Sequence, residues 1–143
     1  MKIRKADGRC VCATLRKAAR SVTQLYDHAL RPSGLRSTQF HILAEVRGAE
    51  EATVSELTKI LVLDQTTLTR GLALLERDGL LQSNPKPDGR LKSVQLTNKG
   101  ERVLQSALPL WREAQKKMLQ LIGPGAWALL GDELDRIADA PKV

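Results

Sequence analysis

Apolar residues recur along most of this chain at steps of three and four, the period of a helix with one buried face. Val11, Leu15, Ala18, Ala19, Val22, Leu25, Tyr26 and Ala29 predict a first helix over 10–30, ended by Pro32 and Gly34. Phe40, Leu43 and Ala44 predict a second over Ser37–Val46, with Ser37 as N-cap and Gly48 as its close. The third opens on Thr53 and Glu56, a capping box, and offers Val54, Leu57, Ile60 and Leu61 to a core. After Leu63 in a turn, Asp64 caps a fourth helix that runs to about Asp78 and stops at Gly79. The helical period then lapses. Leu80–Ser83 and Lys92–Leu96 predict short strands, and the two prolines and one glycine of Asn84–Leu91 exclude helix between them. A long helix follows over 98–121 with an apolar stripe of Val103, Leu104, Ala107, Leu108, Trp111, Ala114 and Met118, kinked at Pro109. Gly123-Pro124-Gly125 breaks the chain before a last helix carrying Trp127, Leu130, Leu134 and Ile137.

A short helix, a tight turn, a longer helix and two strands around a basic loop make a winged helix-turn-helix: mostly α, with a small β-hairpin as the wing. That arrangement places one helix end in the DNA major groove and a positive loop beside it. Winding 65–78 at 100° per residue brings Leu68, Leu72 and Leu75 within about 60° of one another, so they form the buried stripe. Thr66, Arg70, Ala73 and Arg77 then face outward, with Gln65 and Thr69 at the N-terminal edge. Gln65, Thr66, Thr69 and Arg70 are the candidates for base edges: Arg70 suits guanine, Gln65 suits adenine, and a threonine methyl suits thymine. Arg77, at the far end, is placed for a phosphate. In the loop, Arg90 stands where a guanidinium can enter the minor groove, Asp88 can hold it, and Lys86 and Lys92 can meet phosphates.

Charge sharpens this picture. The net charge is +7, and residues 1–36 hold nine basic side chains against two acidic ones. That basic third is either a phosphate-binding arm or a solvated helix face. Over 65–102, seven basic residues meet four acidic ones, an excess on the elements expected at DNA. No apolar run reaches the roughly 20 residues of a membrane span, and the basic N-terminus lacks the apolar core of a secretory signal, so the cytoplasm is the expected location. His28 and His41 lie on separate helices, no metal-binding spacing of His or Cys occurs, and no Gly-rich phosphate loop is present. Neither enzyme chemistry, a metal nor a cofactor is expected. Both histidines read as surface or groove-lining residues.

Thr53-Val-Ser-Glu-Leu57, Asp64-Gln-Thr-Thr-Leu-Thr-Arg70, Leu75-Glu-Arg-Asp-Gly-Leu80 and Asp88-Gly-Arg90 followed by Val94-Gln-Leu96-Thr97 resemble the MarR family of bacterial transcription regulators. The likeness runs over roughly 10–140. It implies a winged part at 37–97 and a helical dimerisation part at 8–36 and 98–140, with Arg90 as the minor-groove arginine and Asp88 its support. It also implies a homodimeric repressor on a pseudo-palindromic operator in double-stranded DNA, released by a small-molecule effector or by cysteine oxidation. The apolar residues Leu104, Leu108, Trp111, Trp127, Leu130 and Leu134 in the terminal helices independently suggest a dimer. Cys10 and Cys12 point about 200° apart on a helix, which argues against a structural disulfide between them. The simpler role for them is as small buried apolar residues. The sharper one is redox sensing. Cys12-Ala-Thr-Leu15 resembles the segment holding the sensing cysteine in the organic-hydroperoxide branch of the family, and Arg9 and Arg16 suit a reactive thiol there. Ser37 and Phe40 stand where that branch places tyrosines. The remaining alternative is a winged domain that binds protein instead of DNA; the basic wing and outward Arg70 favour DNA.

Overall fold

The computed structural model describes residues 8–85 and 92–141. Helix α1 spans Val11–Leu30, opened by Cys10, whose Sγ accepts from the Ala13 amide at 3.5 Å. A 3₁₀ turn at Arg31–Ser33 leads to α2, Ser37–Gly48. Ser37, expected just before this helix as its cap, is instead its first, buried residue, and Arg36 takes the cap position. The reason is that the Ser37 amide has a partner elsewhere. It donates to Asp27 Oδ1 on α1 at 2.7 Å, which satisfies one of the donors that a helix start leaves orphaned.

Strand β1, Ala52–Thr53, is a two-residue element that periodicity cannot register. It runs directly into α3, Val54–Leu61, where Thr53 Oγ1 accepts from the Glu56 amide at 3.2 Å. Of the core face expected on α3, Leu57 is buried and Val54 and Leu61 are half-buried, but Ile60 is exposed. An eight-residue helix resting on the core along Leu57 has room for only a narrow stripe, and Ile60 falls outside it. Helix α4 covers Gln65–Arg77. Strands β2, Leu81–Pro85, and β3, Lys92–Leu96, pair antiparallel, with Leu81 opposite Leu96 and Ser83 opposite Val94. β1 adds to the far side of β3, so the sheet among the described residues has the order β1-β3-β2.

Helix α5, Asn98–Ile122, passes through Pro109 without interruption, and α6 covers Pro124–Ala138. The core joins Leu43, Leu57, Leu68, Leu75 and Leu104 with Phe40, which stacks on Trp111 at 5.7 Å. Leu104 is therefore fully buried within its own chain, and Leu108 and Trp111 pack half-buried against the same core. They are not the spare apolar surface expected of them. That surface lies on α6, which has no buried residue, and at the ends of α1 and α5. Leu129, Leu121 and Val11 are respectively 73%, 78% and 65% exposed.

Candidate nucleic-acid interface

Helix α4 is fixed at both ends by side chains that the sequence supplies locally. At its start, Asp64 Oδ1 accepts from the Thr67 amide at 2.8 Å and Oδ2 accepts from the Thr67 hydroxyl at 2.6 Å. Those bonds, the hydroxyl's first, hold the Asp64 carboxyl below the ordinary carboxylate range. At its end, the Gly79 amide donates to Glu76 O and the Leu80 amide to Leu75 O, a Schellman closure made possible by the Gly79 φ of 74°. The next elements then latch onto this turn. Thr97 Oγ1 donates to Gly79 O at 2.5 Å, Lys99 Nζ donates to Asp78 O at 2.9 Å, and the Ser83 hydroxyl on β2 donates to Glu76. Gly100 lies so close to the Leu80 backbone that a Cβ there would fall 2.0 Å from Leu80 O.

Leu68, Leu72 and Leu75 are all buried, as the periodicity predicted, and they turn the opposite face outward. Gln65, Thr66, Thr69 and Arg70 are exposed along the first two turns. Among the described residues, none of these four side chains has a protein partner. Arg77 is also exposed, but its guanidinium is drawn to the carboxylate of Asp78, with Nε at 3.4 Å. Lys92 begins β3 opposite Pro85, at the base of the wing. Lys86, Asp88 and Arg90 lie outside the described residues. Thr67 was missed as a partner of Asp64, although the i, i+3 spacing of Asp64 and Thr67 signals it. Nothing in the pattern signalled the latch from Thr97, Lys99 and Gly100, which depends on two helix ends meeting in space.

Cys10 and Cys12 are both exposed in this chain, far from the expected role of buried apolar fillers. Among the described residues, the N-terminal half of α1 is exposed except for the half-buried Leu15. Further along α1, the Tyr26 hydroxyl donates to Gln115 Oε1 on α5, and burial pushes its phenol above the ordinary value. Among the described residues no group of His, Cys, Asp and Glu is arranged to hold a metal, and no helix is long and apolar enough to cross a membrane.

A sequence model of the MarR family matches residues 35–90, from the last residues before α2 to beyond β2. The transcriptional regulator MosR of Mycobacterium tuberculosis, solved in complex with DNA, is 39% identical, with a TM-score of 0.80 over 92% of this chain and 100% of its own. The chain belongs to the MarR family. It is a winged helix-turn-helix transcription regulator, and not an enzyme. A mutant MarR of Escherichia coli solved with operator DNA shares the fold at 24% identity, with a TM-score of 0.80 over 89% of this chain and 92% of its own. PcaV of Streptomyces coelicolor, a transcriptional regulator solved with its natural ligand, shares it at 20% identity, with a TM-score of 0.86 over 99% of both chains. An HTH-type transcriptional regulator of Bacillus cereus is 33% identical over 86 residues, 60% of this chain. The match spans 57% of that relative's length. In MarR-family terms, α3 and α4 are the helix-turn-helix and β2–β3 the wing.

Proposed function

We propose that this MarR-family chain binds double-stranded DNA sequence-specifically as a homodimer, reading bases with Gln65, Thr66, Thr69 and Arg70. Arg77, Lys86 and Lys92 meet phosphates, and Arg90, supported by Asp88, enters the minor groove. The observation that carries this reading is the opening of α4. Its leucines are anchored inward while four polar side chains, an arginine among them, stand on the outer face with no partner among the described residues. The positive end of the helix dipole lies on that side too. MosR and the mutant MarR, solved with DNA, support the choice of nucleic acid over a protein partner.

A second copy covers α6 and the outer half of α1, where Trp127, Leu129, Leu130 and Ile137 are otherwise left to water. The dimer is the unit that occludes a promoter, as a repressor. It is released when a ligand, or oxidation of Cys12, changes the spacing of its two recognition helices. For a ligand, the candidate site is a cavity of about 400 Å³ between the end of α1 and the start of α2, lined by Asp27, Arg31, Gly34, Leu35 and Arg36. That PcaV was solved with a natural ligand supports release of this kind. For oxidation, the Cys12 sulfur attacks a peroxide oxygen, giving a sulfenic acid and releasing an alcohol or water.

The decisive experiment selects bound sites from random duplexes and then measures Arg70→Ala on the selected operator. The variant should lose about 1–3 kcal/mol and relax base preference at one position per half-site. Lys86→Ala should weaken all duplexes alike. Unchanged binding by Arg70→Ala would refute the assignment of this face. Cys12→Ser separates the two release routes, because it should hold the operator in peroxide if oxidation is the signal.

A further inference from the structure

Val62, where the chain leaves α3, has φ 51° and ψ 42°, and it is the one non-glycine among the described residues with positive φ. A left-handed conformation crowds the Cβ of any L-residue, and most of all a β-branched one. Glycine would form the same turn without that crowding. Nor does the core use the side chain. Leu61 and Leu63 on either side are half-buried and packed against the core, whereas Val62 is 78% exposed. The flanking leucines anchor the turn and the isopropyl group stands in water. A strained residue whose side chain covers nothing among the described residues points outward for its role.

Its position narrows that role. Val62 lies two residues before Asp64, the cap of α4, so its Cα can be no more than about 11 Å from that of Gln65. The major groove is about 12 Å wide. With the opening turn of α4 in the groove, Val62 lies close enough for its exposed side chain to meet the same groove. Gln65, Thr66 and Arg70 supply hydrogen bonds there, and Val62 supplies none. The apolar group that the major groove displays is the 5-methyl of thymine.

We propose that Val62 is a specificity-determining residue, whose left-handed turn presents its isopropyl group to the 5-methyl of a thymine beside the bases facing Gln65 and Thr66. This rests on the reading of α4 given above. The test uses the full chain and an operator selected from random duplexes at fixed salt, with each thymine replaced in turn by deoxyuridine, which removes only the methyl. One such replacement per half-site should weaken the unaltered protein about five- to tenfold. The same replacement should cost Val62→Gly and Val62→Ala nothing, and Val62→Gly should melt no lower than the unaltered protein. A flat deoxyuridine scan, or an equal loss in the Val62 variants, overturns the proposal. So does a loss by Val62→Gly that is uniform across all duplexes, which would assign the turn a backbone role alone. Arg70→Ala, run in parallel, separates the two readings. If it loses base preference while the scan is flat, only the Val62 assignment fails; if it binds as before, the α4 reading fails and takes Val62 with it.

Discussion

Single atoms decide how α4 is held. At Gly100 the approach of α5 to Leu80 leaves no space for a methyl group, since the nearest oxygen would stand 2.0 Å away and belongs to backbone, which cannot swing aside. Gly100→Ala should therefore cost at least about 1–3 kcal/mol, seen as a lower Tm in thermal unfolding. A melting curve like that of the parent would show that the two helix ends separate more easily than the packing implies. Asp64 acts through charge as well as shape. Its carboxyl is depressed in the folded chain, so its contribution is fully present above the unfolded value of about 4 and is lost as pH falls through the folded one. Asp64→Ala should melt below the parent at pH 7, and the gap should narrow only in strongly acidic solution. A gap that closes between pH 8 and 6 would assign the stabilisation to another group.

At the scale of elements, what the chain makes legible is whatever rests on local period and local capping. The stripe of Leu68, Leu72 and Leu75, the cap at Asp64, the stop at Gly79 and the helical bounds of α1 and α5 are of this kind, because each signal lies within a turn or two of what it controls. The outward face of α4 was legible for the same reason, as the complement of its leucines. What escaped depends on partners distant in sequence. β1 exists because Ala52 and Thr53 meet Val94 and Ser93, and Ser37 enters α2 because Asp27 lies across from it. Ile60, expected on the same face as Leu57, is exposed because the short α3 rests on the core along only a narrow stripe. Truncation separates the two cases. Leu68→Ala should lose about 2–5 kcal/mol on denaturant unfolding, while Ile60→Ala should stay within about 0.5 kcal/mol. A large loss at Ile60 would mean that something covers it in solution.

For the whole molecule, the surface of α6 and the outer half of α1 sets the expectation for mass. Light scattering at micromolar concentration should give twice the 15.8 kDa of the chain, and a monomeric value would remove the second copy from the proposed function. DNA affinity should fall steeply with salt, because each phosphate neutralised contributes about −0.9 to the slope of log K against log salt concentration. One feature reaches across the molecule. Because Thr97, Lys99 and Gly100 clamp the first turn of α5 onto the turn that closes α4, α4 is bolted to a rod of 25 residues, about 37 Å long. Tipping such a lever by about 5° carries its free end through about 3 Å, close to the rise of one base pair. In the proposed dimer, a nudge among the outermost helices would be enough, by leverage alone, to put the two copies of α4 out of step with the duplex.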